Sequence, residues 1–259
     1  MDVTFAQITA WLGQVWWPFF RLGAAFVAMP FFGDGAIPLW VRLLFALSIS
    51  ILIAPLMPAM PAVDPLSLKA LVLAFEQAIW GVFFGFILHL LFTTMTMLGQ
   101  IVSMQMGLSM AIMNDPVNGM SVALLGRMFL MFSTLLFLAL DGHLVVIDIL
   151  VQSFHVWPVG SGISEATLQQ VISMASWMFA SALALALPAI ISMLLANISF
   201  GVMNRAAPSL NVYALGFPMT MLLGLFSMLI AISGVPTRYT QFVHTTLQAL
   251  TSYVAGNGI

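Results

Sequence analysis

Cysteine is absent from this 259-residue chain. That excludes disulfides, thiolate metal sites and a cysteine nucleophile. Charge is nearly as scarce: 5% of residues, where soluble domains carry about a quarter. So little polar surface cannot cover a water-facing globule. With 62% hydrophobic residues, the chain reads as an integral membrane protein. The formal charge is −2 without a basic run, which argues against nucleic acid and against a polybasic lipid-binding cluster. Catalytic signatures are missing as well. There is no HExxH, GxSxG, Walker loop or GxGxxG and no close pair of carboxylates, so no enzyme chemistry and no cofactor are expected. His143 and His155 share a segment without a companion carboxylate at ligand spacing, and they read as polar interfacial residues, not as a metal site.

What is present is helical apolar sequence. Met, Leu, Ala, Phe and Trp run without the strict alternation of a membrane β-barrel, so the fold class is all-α, built of helical hairpins. About six apolar segments can be traced: Ile8 to Phe32, Leu39 to Met57, Leu66 to Leu98, Val122 to Leu140, Glu165 to Met203 and Val212 to Val235. The N-terminus lacks a positive n-region and reads as a retained first helix. Pro55, Pro58, Pro61 and Pro65 form a stiff extended connector. Gly81 and Gly85 are spaced for close helix contact, and Pro188 interrupts a long helical pattern. Asp141 to Ser164 reads as a polar, aromatic linker, and residues 236–259 as a short amphipathic tail. Lys and Arg are split too evenly among the loops to set an orientation.

The stretch from Gly99 to Ser121, GQIVSMQMGLSMAIMNDPVNGMS, differs from its surroundings. Two Gln, two Asn, an Asp and three Gly make it too polar for lipid, while its Met residues make it too apolar for a solvated loop. Met106, Met110 and Met113 are spaced for one helical face, and Asn114-Asp115-Pro116 and Asn118-Gly119 then break the helix. A short helix that turns back is a re-entrant or pore-lining element, tolerated where protein or water satisfies its backbone. The competing reading is plain core packing, for which Met is a common gap-filler.

Arg21, Glu76 and His89 are ionisable groups inside apolar segments. They face a partner or water for a function, or Arg21 and Glu76 snorkel from helix ends. Grouped at a midplane site, the three would suit a secondary transporter of a small solute or ion, the main alternative to a gate.

Three blocks carry a resemblance: MQMGLSMAIMNDP (Met104 to Pro116), DGHLVVIDILVQSFHVWPVG (Asp141 to Gly160) and NRAAPSLNVYALGFP (Asn204 to Pro218). PFFGDGAIPLWVR (Pro30 to Arg42) and LIAPLMP (Leu52 to Pro58) fit in the same order. Over essentially its whole length the chain resembles the FliR family of flagellar export-gate proteins and its relatives in virulence type III secretion. The resemblance implies a single export-gate domain over residues 1–259, assembled with FliP-like, FliQ-like and FlhB-like subunits into a helical ring around a narrow pore. It implies the bacterial inner membrane and flagellar basal body as the location, and unfolded exported proteins as substrate. Helices buried against partner subunits would make hydropathy over-count the bilayer crossings. Met104 to Ser121, within the plug or re-entrant stretch 99–121, matches the family's plug loop, so Met104, Gln105, Met106, Gly107, Leu108, Ser109, Met110, Met113, Asn114, Asp115 and Pro116 are the pore-plug candidates. Arg21, Glu76, Arg127 and Arg205 are candidates for subunit-interface or buried charges.

Overall fold

A computed structural model of the chain describes residues 5–30, 37–64, 67–106, 112–114, 121–162, 165–206 and 212–254. It is helical almost throughout. The helices are α1 (Phe5–Ala28), α2 (Leu39–Ile53), α3 (Leu68–Gln105), α4 (Leu124–Ala139), α5 (Gly142–Val156), α6 (Glu165–Ala206), α7 (Val212–Ile232) and α8 (Val235–Val254). A 3-10 turn, Ala54–Leu56, extends α2, and two short strands, β1 (Ile112–Asn114) and β2 (Ser121–Ala123), pair antiparallel.

Among the described residues, three helical stretches are long and apolar enough to cross a membrane: Leu39–Leu56, Leu68–Gln105 and Val171–Met203. Counting α4 and α5 together as one broken span gives a fourth. The sequence suggested about six apolar segments. Among the described residues fewer stretches are long and apolar enough to cross, and α1, which carries Gln14 and Arg21 in its apolar sequence, is not one of them.

One segment is corrected outright. Asp141 to Ser164 is not simply a linker, because Gly142–Val156 is helix α5. Its buried residues are Gly142, Val146, Ile149, Leu150, Ser153 and Phe154, an i, i+3, i+4 stripe that the flanking Asp, His and Trp obscure. Asp141 starts it from a left-handed conformation (φ 53°), a region that Asp tolerates better than most residues.

The chain divides into two compact units. The first comprises Met1–Leu90, Leu140–Ala175 and His244–Ile259. Within it α1 packs on α2, with Phe26 against Phe45 at 5.4 Å between ring centroids. It meets α3 still more closely, since a Cβ on Gly81 would run into the Arg21 carbonyl and one on Gly85 would lie 2.6 Å from Ala28 Cβ. The small-residue pair read from the sequence therefore marks a real backbone-to-backbone approach. The proline connector folds back over this unit, where the Trp17 indole N–H donates to the Pro61 carbonyl at 3.4 Å. Trp17, Ala70 and Leu73 form the buried centre there, flanked by Met60 and Val63.

The second unit comprises Leu91–Ala139 and Ser176–Val243. Gly99 of α3 sits against the backbone of Gly126 in α4, where a Cβ would come within 2.6 Å of Gly126 Cα. Phe92 and Phe137 close the same helix pair at 5.3 Å. Helix α6 continues through Pro188. The ring removes one helical hydrogen bond there, and a cleft of about 850 Å³ opens beside it, lined by Ala184, Pro188, Phe226 and Arg238 among others.

Candidate functional site

The polar stretch begins as helix. Gly99 to Gln105 form the end of α3, and the Met106 N–H donates to the Val102 carbonyl at 3.0 Å as the helix closes. Met104 is 67% exposed, Gln105 is half-buried and Met106 is fully buried. Met113 and Asn114 lie in β1, opposite Val122 and Ser121. The expected helical stripe of Met106, Met110 and Met113 is thus corrected: the helix stops at Gln105, and Met113 stands on a strand. Ile112 and Val122 give the reason, since β-branched side chains favour a paired, extended backbone. Gly107, Leu108, Ser109, Met110, Asp115 and Pro116 lie outside the described residues.

Met106 occupies space that a missing side chain leaves. A Cβ built on Gly224 of α7 would overlap Met106 Cγ and lie 2.9 Å from its sulfur. The root of the stretch is therefore lodged on α7 within the same unit.

In the first unit the ionisable candidates resolve differently. Arg21 is fully buried, so it does not snorkel. Its Nε and Nη2 donate to Gln77 Oε1 at 2.9 and 2.6 Å. Nη1 donates to Ser153 Oγ at 2.8 Å, and Nη2 also donates to the Trp157 carbonyl at 2.9 Å. The Phe154 ring lies 3.8 Å from the guanidinium carbon, offering its negative face to the charge. Glu76 Oε1 accepts from the Gly160 N–H at 3.0 Å and from Gln77 Nε2 at 3.3 Å. Gly160 has φ +94°, a conformation that glycine adopts without strain. Trp157, which supplies one carbonyl, is fixed by stacking on Trp80 at 4.4 Å. Sequence reasoning picked out Arg21 and Glu76 but missed Gln77, Ser153, Phe154 and Trp157.

These positions disperse the transporter site. Arg21 is enclosed by neutral acceptors and Glu76 is tied to a backbone amide, while His89 is exposed on α3. His89 lies about 20 Å along the helix axis from Glu76 at the usual rise per residue. His143 and His155 are likewise separated by about 18 Å on α5, too far to share one ion. Arg127 is half-buried in the first turn of α4, and Arg205 is exposed in the last turn of α6.

The sequence matches the bacterial export proteins, family 1, over residues 12–246. The chain belongs to this family. Among its relatives is the flagellar biosynthetic protein FliR of Escherichia coli (strain K12), 35% identical over 226 residues that cover 87% of this chain and 86% of that one. FliR of Pectobacterium carotovorum subsp. carotovorum is 33% identical over 84% of each chain. FliR of Caulobacter vibrioides is 30% identical over 90% of this chain and 94% of its own. As a FliR-family member the chain is a subunit of the flagellar type III protein export gate, a transport component of the membrane apparatus. The small-solute transporter alternative is not favoured.

Proposed function

We propose that this subunit lines the export pore and that Met104 to Pro116 form the plug that closes it at rest. The observation that carries the reading is how the stretch is anchored. One end is the terminus of α3, with Gly99 against Gly126 and Met106 seated on Gly224, and the ladder of β1 and β2 holds the segment that leads into α4. A polar, glycine-bearing sequence with both flanks held is suited to blocking a lumen, and its thioether side chains suit repeated closure on chains of any sequence. Unfolded exported proteins are the substrate, and their transport energy comes from elsewhere in the apparatus.

The apolar outer surfaces support assembly with FliP-like, FliQ-like and FlhB-like subunits in the bacterial inner membrane at the flagellar basal body. Phe226, Leu222 and Leu229 of α7 and Leu195, Ile198 and Val202 of α6 are each more than half exposed in the isolated chain. Such faces suit partner helices or lipid. Arg205, at the C-terminal end of α6 where the helix dipole favours a cation, would pair with a carboxylate of a partner.

The test is to delete Met106 to Val117 and measure small-ion leak through the assembled complex in membranes. The plug reading expects a leaky gate with normal assembly. A deletion variant that assembles and stays as tight as the parent would remove it.

A further inference from the structure

We propose that Gly224 is the seat on which the gate latches: Met106 packs on its bare Cα in the closed state, and opening requires Met106 to leave it. The inference rests on the plug reading and names the residue that holds the plug in place.

Glycine inside a helix costs about 1 kcal/mol relative to alanine, so its presence within apolar α7 calls for an offsetting contact. The contact is specific. A Cβ at this position would overlap Met106 Cγ and stand 2.9 Å from its sulfur and 3.1 Å from its terminal methyl. Gly201 of α6 serves as the contrast, with nothing within 4 Å of its missing Cβ. On α7 the Ser227 hydroxyl donates to the Gly224 carbonyl at 2.9 Å, which braces the backbone of the seat. On the other side Met106 stands where α3 ends, so its position sets the direction in which the following residues leave the helix. Met104 is 67% exposed whereas Met106 is fully buried, so the anchor is Met106.

The nature of the contact suits a latch. The thioether carbons and sulfur meet a bare backbone through dispersion alone, and a flexible Met side chain can swing out without breaking a directed bond. A strained or hydrogen-bonded anchor would hold more firmly but would resist release.

The experiment uses the assembled export complex in membranes, with potassium leak and substrate export as readouts. Gly224→Ala should push Met106 off its seat and raise the resting leak roughly tenfold, since overpacking a closed contact shifts the population toward open. Adding Met106→Ala to that variant should restore tightness, because the shortened side chain makes room for the new methyl. Complex abundance in the membrane, which a folding defect lowers and a released latch does not, is measured beside the leak. The chain has no native cysteine, so a Met106→Cys/Gly224→Cys pair offers an independent measurement. Oxidation should crosslink it and stop export, and reductant should restore export.

The inference is overturned if Gly224→Ala stays tight, if its leak persists in the double variant, or if the crosslinked gate exports at the parental rate. A leaky deletion variant beside a tight Gly224→Ala would remove the latch and leave the plug. A tight deletion variant would remove both.

Discussion

Arg21 in the first unit and Met106 in the second are both fully buried, yet they hold their surroundings by opposite means. The guanidinium makes directed bonds to Gln77, Ser153 and the Trp157 carbonyl. Its donors have fixed directions, so α1, α3 and α5 must keep their relative positions or leave a buried charge unsatisfied. Met106 makes no such demand, because it fills the space beside Gly224 by shape alone. One contact suits a part of the molecule that must stay still, the other a part that must release.

The largest effect should come from breaking the directed contact. Replacing Arg21 with Ala leaves Gln77, Ser153 and a backbone carbonyl facing a void, with a cost of about 1–3 kcal/mol for each acceptor left without a donor. Subunit abundance and thermal stability of the purified complex would register it. Arg21→Lys should rescue little, because an ammonium on a flexible stem cannot reproduce the planar fork that reaches three partners. Full rescue by Lys would mean that charge alone matters and that the directed geometry is incidental.

Glycine substitutions sharpen the same comparison at the next level. Gly81→Val sets a branched side chain against the Arg21 carbonyl and Ala24, and neither side has a flexible group that can yield. It should destabilise by at least the 1–3 kcal/mol (approximate) of ordinary overpacking. Gly201→Ala meets open space and should be neutral or stabilising by up to about 1 kcal/mol through helix propensity. Thermal midpoints of the two variants in the purified, unassembled subunit decide the matter. Similar losses at both sites would mean that close approach is not what the glycine at 81 provides.

These contrasts also explain what the sequence could reveal. The pair Gly81 and Gly85 was legible because helix contacts repeat every four residues along one element. The partners of Arg21 were not, since Gln77 and Ser153 lie 56 and 132 residues away and no local period encodes them. Helix α5 was hidden because Asp141, His143, His155 and Trp157 give its ends the composition of a loop, while its apolar stripe is confined to one face. The Met stripe misled for a related reason. Helical spacing from Met106 to Met113 has meaning only if the helix continues, and it ends at Gln105. Gly224, distant in sequence, gave no sign that it receives Met106.

The smallest effect is expected at Glu76, and it bears on whether the first unit transports anything itself. Glu76 Oε1 accepts the Gly160 backbone N–H at 3.0 Å. Glu76→Gln keeps a carbonyl oxygen for that amide and removes the charge, so complex stability should fall by about 1 kcal/mol or less. Export should continue, because Arg21 draws its directed bonds from neutral acceptors. Glu76→Ala loses the acceptor as well and should cost more, leaving Gly160 without its side-chain partner. Motility and secretion assays of the two variants, normalised to complex abundance, separate the possibilities. If Glu76→Gln abolished export while the complex assembled at parental levels, the charge of the carboxylate would have to act in transport. The first unit would then be an ion-coupling element, and its saturated hydrogen bonds could no longer be read as those of a fixed clasp.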